Sequence, residues 1–161
     1  MNAQRPVASP PARLPWPPLL MVATVAAGLA LSKIAGDEAG SLLSGVIFQA
    51  AGGVLVAAAL ALDIWCARTL AHRETTILPH RAASSLVTEG PYRFSRNPIY
   101  IAHVTLVLGV GLILAAPLIV ALTPLLALGL QKLSIEPEER HLREQFGVDF
   151  DAYVARTPRW L

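Results

Sequence analysis

Apolar residues in this chain come in blocks, and the lengths of those blocks constrain the fold more than any motif does. Leu19–Leu31 is an unbroken apolar run; with flanks from Trp16 to Ala35 it reaches the ~20 residues a helix needs to cross a bilayer. Leu42–Leu62 is a second block, in which Gly45, Gly52 and Gly53 offer flat surfaces for close helix packing. Ile99–Ala116 and Leu118–Leu133 follow, 18 and 16 residues long and split by Pro117. They read as an antiparallel helical hairpin turning near Ala116-Pro117, each arm spanning only with its ends at the interface or where the bilayer thins. Pro124 is expected to kink the second arm. Only 15% of residues are charged and 54% are hydrophobic, where a soluble domain carries about a quarter charged. The expected fold is one all-α integral membrane domain over residues 1–161, with about four transmembrane helices.

The polar segments between the blocks give the orientation. Met1–Pro18 is proline-rich, holds two arginines and no acid, and reads as an irregular tail ending at an interfacial Trp16. Residues 19–72 then hold two spans, the second helix running on through Asp63–His72 as it leaves the hydrocarbon. Ser32–Ser41 is a short polar loop. With four spans, both termini and the 63–98 segment share a side, and that side carries twelve of the thirteen basic residues, all but Lys33. The positive-inside rule makes it cytoplasmic, and the compact chain suggests a bacterial inner membrane. A net charge of +2 is too small to point to nucleic acid. Cys66 stands alone and reads as a packing residue.

Chemistry concentrates at Thr88–Tyr100, a turn-rich polar stretch between the apolar halves. Gly90-Pro91 predicts a turn. Asn97-Pro98 predicts a helix start, the Asn carboxamide capping a free N–H and Pro lacking the N–H that would be orphaned. Arg93, Arg96, Tyr92 and Tyr100 make this loop cationic and aromatic, at a helix end that attracts anions. The tail after Ser134 is polar again. Leu142, Phe146, Phe150 and Tyr153, spaced by 4, 4 and 3, form one helical stripe that Gly147 divides. On that helix Glu138 and Glu139 flank the stripe on either side while Glu136 points away, and helix geometry does not choose between the two. No Gly-rich loop follows a strand, which excludes a P-loop or dinucleotide fold. No Cys/His cluster has metal spacing.

These pieces resemble a known family. Leu86-Val87-Thr88-Glu89-Gly90-Pro91-Tyr92, Arg96-Asn97-Pro98-Ile99-Tyr100, Glu138-Glu139 with Leu142, and Phe146-Gly147-x-x-Phe150-x-x-Tyr153 before Pro158 are similar to the isoprenylcysteine carboxyl methyltransferases and, more loosely, to the phospholipid N-methyltransferases. The resemblance covers roughly residues 84–161. It implies an S-adenosylmethionine-dependent methyltransferase whose cofactor lies on the cytoplasmic side under the C-terminal tail, and whose acceptor is a lipophilic or lipid-linked carboxylate, amine or thiol. By position, Leu86, Val87 and Tyr92 would line the cofactor, Asn97, Pro98, Ile99 and Tyr100 would hold it at the helix start, and Glu138 would bind it from the tail. Many relatives have His at the Asn97 position and eukaryotic ones have His at the Ser84 position. The arginine that eukaryotic members place shortly before the glutamates is replaced by Ser134.

A carboxylate acceptor is already ionised and needs only alignment and water exclusion. An amine or thiol needs a proton acceptor. Arg96, Glu139 and His103 are the candidates for catalytic roles, with His141 a further possible base; Asp63 reads as an interfacial residue paired with Arg68. The rival readings are an NADPH-dependent enzyme of the sterol-reductase kind and a non-catalytic helical scaffold.

Overall fold

A computed structural model describes residues 15–35, 43–72 and 85–161. The expected N-terminal tail up to Leu14, residues 36–41 of the expected Ser32–Ser41 loop, and the position of Ser84 lie outside those residues. Every regular element described is helical. Helix α1 is Trp16–Ala35 and α2 is Val46–His72; a 3₁₀ turn at Gly90–Arg93 leads to α3 (Pro98–Ile113) and α4 (Pro117–Leu130). A π-helical turn, Gln131–Ile135, carries the chain without a break into α5 (Glu136–Phe146), and α6 (Val148–Arg156) ends the regular structure.

Three helical rods are long and apolar enough to cross a membrane: α1, α2, and the continuous Pro117–Phe146. The fourth apolar helix, α3, has 16 residues, which at 1.5 Å per residue is about 24 Å, short of the ~30 Å hydrocarbon core. About four spans were expected, the two hairpin arms being the short ones; the described residues give three full-length helices and one short one, α3. Val22, Ile34, Val46, Ile47 and Val54 are largely exposed on α1 and α2, as lipid-facing side chains are. The hairpin turn falls where expected, at Leu114–Ala116 between α3 and α4, with Ala115 at φ +49°. Pro124 lies inside α4.

Helix α2 packs antiparallel on α3, backbone to backbone. A Cβ at Gly52 would lie 2.7 Å from the Gly109 carbonyl oxygen and 2.9 Å from the Ile113 nitrogen. A Cβ at Gly109 would lie 2.8 Å from the Gly52 oxygen and 3.1 Å from the Val56 nitrogen. Only glycine permits that approach. Helix α1 closes on α4, and Tyr100, Val107, Ile119, Leu126, Leu130 and Ile135 fill the centre, with Trp160 of the chain end packed against them. Gly147, at φ +52°, ends α5 and starts α6, so the tail becomes two short helices whose Phe150 and Tyr153 are buried.

Candidate functional site

The polar end of this bundle is built where two distant stretches meet. The loop before α3 lies against the chain end: the Arg96 N–H donates to the Pro158 carbonyl at 2.9 Å, and Ser95 Oγ donates to the Arg159 carbonyl at 3.1 Å. Asn97 Nδ2 donates to the same Arg159 carbonyl at 3.1 Å. This corrects the capping expectation. Asn97 does sit at the N-cap position, with its own C=O accepting from the Tyr100 and Ile101 N–H groups, but its side chain makes no cap hydrogen bond. The carboxamide is taken by the strap Thr157–Trp160. Tyr153 OH donates to the Tyr92 carbonyl at 2.6 Å and Trp160 Nε1 to Gln131 Oε1 at 3.0 Å, so the strap and α6 are tied to the loop and to the π turn.

Both adjacent glutamates face inward, to different partners. Tyr100 OH donates to Glu138 Oε2 at 2.9 Å. Glu139 accepts from Arg159 Nη2 at 2.6 Å and Nε at 3.1 Å, and pairs with Arg96 Nη2 at 3.3 Å. The Arg96 and Glu139 side chains are only 10% and 11% exposed, so each charge needs the other. Two guanidiniums on one carboxylate leave a net charge of +1. Arg96 Nε is buried with no hydrogen-bond partner. The hydrogen bond to Glu139 holds the Arg159 pKa above the ordinary guanidinium range. Glu136 faces away, as expected, and pairs with Lys132 at 2.8 Å.

Burial pushes the Tyr92 phenol well above its ordinary pKa, with Cys66, Glu138 and Tyr153 as its electrostatic neighbours. The Tyr92 and Cys66 side chains are hydrogen-bonded. Tyr92, Tyr100 and Glu138 therefore come together, and Arg96, Asn97 and Glu139 form a second group beside them. Pro98 is buried and Ile99 half-buried at the start of α3; Val87 is buried and Leu86 half-buried in the segment leading to the 3₁₀ turn. His103 stands one turn into α3, its ring edge-on to Tyr100 with centroids 6.1 Å apart.

Two features were not read from the sequence. Arg159, the second guanidinium on Glu139, is 20 residues away along the chain, and nothing in a lone terminal arginine marks it. Asp63 was assigned to Arg68; its electrostatic neighbours in the fold include His103 of α3 and Cys66.

Residues 47–149, most of the length from α2 to the start of α6, match the model of the phospholipid methyltransferase family. The chain belongs to that family. The matched stretch includes Asn97-Pro98 and both glutamates, and leaves α1 and the strap outside. This phospholipid methyltransferase family member is also similar to the nickel-cobalt-cadmium resistance protein NccN of Alcaligenes xylosoxydans xylosoxydans, at 30% identity over 95 residues. The cobalt-zinc-cadmium resistance protein CzcN of Cupriavidus metallidurans is similar over 95 residues, also at 30% identity. Each alignment takes in 59% of this chain and 40% of the relative. No solved structure matches.

Proposed function

We propose that this protein is an S-adenosylmethionine-dependent membrane methyltransferase acting on a lipophilic or lipid-linked nucleophile at the cytoplasmic face. The observation that carries the reading is the pairing of Tyr100 on α3 with Glu138 on α5 beside the charged Arg96–Glu139–Arg159 group. The cofactor, when bound, supplies an electrophilic methyl group on a sulfonium. The residues present fit such a ligand. The Glu138 carboxylate suits an ammonium or ribose hydroxyls. The orphaned Arg96 Nε and the +1 charge of the triad suit a carboxylate, and the Tyr92 and Tyr100 rings suit a sulfonium. Leu86, Val87, Pro98 and Ile99 supply the apolar wall, and Asn97 keeps the strap closed over it. Glu139 holds the two arginines and in this reading is a positioning residue.

The acceptor we favour is an amine. Arg96 and Arg159 are both engaged by Glu139 and their remaining charge serves the cofactor carboxylate in this reading, so a carboxylate acceptor would lack a cation of its own. The test is calorimetric titration of the detergent-solubilised protein with S-adenosylmethionine, S-adenosylhomocysteine and NADPH. Wild type should bind the first two. A charge-assisted hydrogen bond is worth roughly 1.5–3 kcal/mol, so Glu138→Gln should weaken S-adenosylmethionine roughly ten- to a hundredfold. Binding of NADPH alone, or equal affinity in Glu138→Gln and wild type, would remove the reading's main support.

A further inference from the structure

We propose that Asp63 and His103 form a proton-accepting pair for the methyl acceptor, His103 taking the proton and Asp63 positioning and charge-balancing its ring. The inference rests on the methyltransferase reading above and assigns a part of the reaction that the two glutamates do not supply.

The geometry begins with the glycine contact. Val56 of α2 meets Gly109 of α3, and the helices are antiparallel. Asp63 lies seven residues further along α2 and His103 six residues back along α3, so both stand at the same level, about 9–10 Å from the glycine contact toward the polar end. The two side chains are electrostatic neighbours. From Asp63 a closed circuit of side chains can be followed. Asp63 acts on Cys66, Cys66 is hydrogen-bonded to Tyr92, and Tyr92 neighbours Glu138. Glu138 accepts from Tyr100, and the Tyr100 ring abuts His103.

His103 Nδ1 is buried with no hydrogen-bond partner. Leaving such an atom unsatisfied is costly away from water, and a ligand N–H would satisfy it. The groups beside it are Asp63 on α2 and Tyr100 on its own helix, with Glu138 reached through Tyr100. Among the carboxylates, Glu139 is held by two guanidiniums and Glu138 by Tyr100. Asp63 is the one that can balance an imidazolium. In the proton step, an ammonium N–H bond of the acceptor breaks and its electron pair stays on nitrogen as the nucleophilic lone pair. The proton bonds to His103 Nδ1, and the positive charge moves from the acceptor to a ring facing the Asp63 carboxylate.

The experiment uses protein with ring-¹⁵N histidine in lipid nanodiscs, saturated with S-adenosylhomocysteine so that nothing turns over. It is run at about pH 8, above the ordinary histidine pKa of ~6.5. The chain has four histidines, and His103→Gln assigns the signal. Adding octylamine should shift the His103 Nδ1 signal as that nitrogen gains an N–H partner, while octanoate should not. Asp63→Asn should abolish the shift and Asp63→Glu should restore it. In turnover, Asp63→Asn should lower kcat about a hundredfold, at the low end for general base catalysis, with KM and cofactor affinity unchanged. A His103 signal indifferent to octylamine, or one that responds equally in Asp63→Asn, overturns the pair. Failure of S-adenosylhomocysteine to bind, with the His103 Nδ1 signal still responding to octylamine, would instead sink the methyltransferase reading and leave the pair standing.

Discussion

The α2–α3 seam and the C-terminal roof hold this molecule together by opposite means. At the seam two backbones touch through Gly52 and Gly109, and the attraction is van der Waals contact between surfaces stripped of side chains. At the roof, α5, α6 and the strap are tied down by Glu139 with its two arginines, by Ser95 and Asn97 on the Arg159 carbonyl, and by Tyr153 on the Tyr92 carbonyl. The seam works in lipid, where apolar burial gives little driving force. The roof works at the water boundary, where buried charges must be paired. The proposed site lies at the border between these regimes, and that explains its mixture of apolar wall, phenols and carboxylates.

The largest expected effect is all-or-none and tests which face of the membrane the roof occupies. In a Cys66→Ala background, a membrane-impermeant maleimide applied to intact cells should label Gly45→Cys, before α2, and leave Arg93→Cys, on the loop under the roof, unlabelled. The expectation follows from the basic residues gathered at the roof end. Labelling of Arg93→Cys from outside would invert the molecule and place the site on the other face.

Next in size is Glu139→Ala. Removing one partner of a buried ion pair costs about 3–5 kcal/mol; with Arg159 34% exposed the low end applies, about 3 kcal/mol. Hydrogen exchange at the Arg96 amide, which donates to Pro158, should quicken about a hundredfold as the strap lifts. Amides of α2 and α3 around Gly52 and Gly109 should exchange as in wild type. Equal acceleration in both places would show that roof and seam unfold as one unit.

Gly109→Ala probes the other side of the comparison with a smaller effect. Its Cβ would lie 2.8 Å from the Gly52 carbonyl oxygen, so the helices must separate, at about 1–3 kcal/mol for overpacking. Reversible unfolding in mixed micelles should register that loss, with exchange at the Arg96 amide unaltered. A stability equal to wild type would mean that the seam relaxes freely and that the register placing Asp63 beside His103 is loose.

The two regions were not equally legible. Block length and composition suffice to find α1, α2 and the α3–α4 hairpin, because a membrane helix must be apolar along its whole length. They do not reveal that α3 is shorter than its block. The chain leaves the helix at Leu114, whereas the apolar run continues to Ala116. In the roof, Gly147 and the Phe150/Tyr153 stripe were readable, since both depend on local backbone and helical period. Helix geometry left Glu138 and Glu139 undecided because it knows only one helix. The division is made by Tyr100 on one side and Arg96 with Arg159 on the other. Arg159 could not be anticipated from local pattern, and neither could the π turn that joins α4 to α5. The approach of His103 to Asp63 was hidden for the same reason, because it arises only when α3 folds back on α2.

The smallest effect separates two jobs for a single side chain. Asn97 occupies an N-cap position, where Asn and Ser are nearly equivalent and replacement by Ala costs ~1 kcal/mol. In the fold its carboxamide nitrogen instead donates to the Arg159 carbonyl at 3.1 Å, a bond also worth about 1 kcal/mol. Magnitude alone therefore does not distinguish the roles, but the pattern of replacement does. Serine would restore a cap, yet its hydroxyl is too short to reach the strap. Asn97→Ser and Asn97→Ala should thus fall together, each about 1 kcal/mol below wild type by chemical denaturation, and each should quicken exchange at the Arg96 amide about fivefold. If Asn97→Ser matches wild type while Asn97→Ala does not, the residue serves α3 rather than the roof, and the strap is held by Ser95 and the Arg159–Glu139 pair alone.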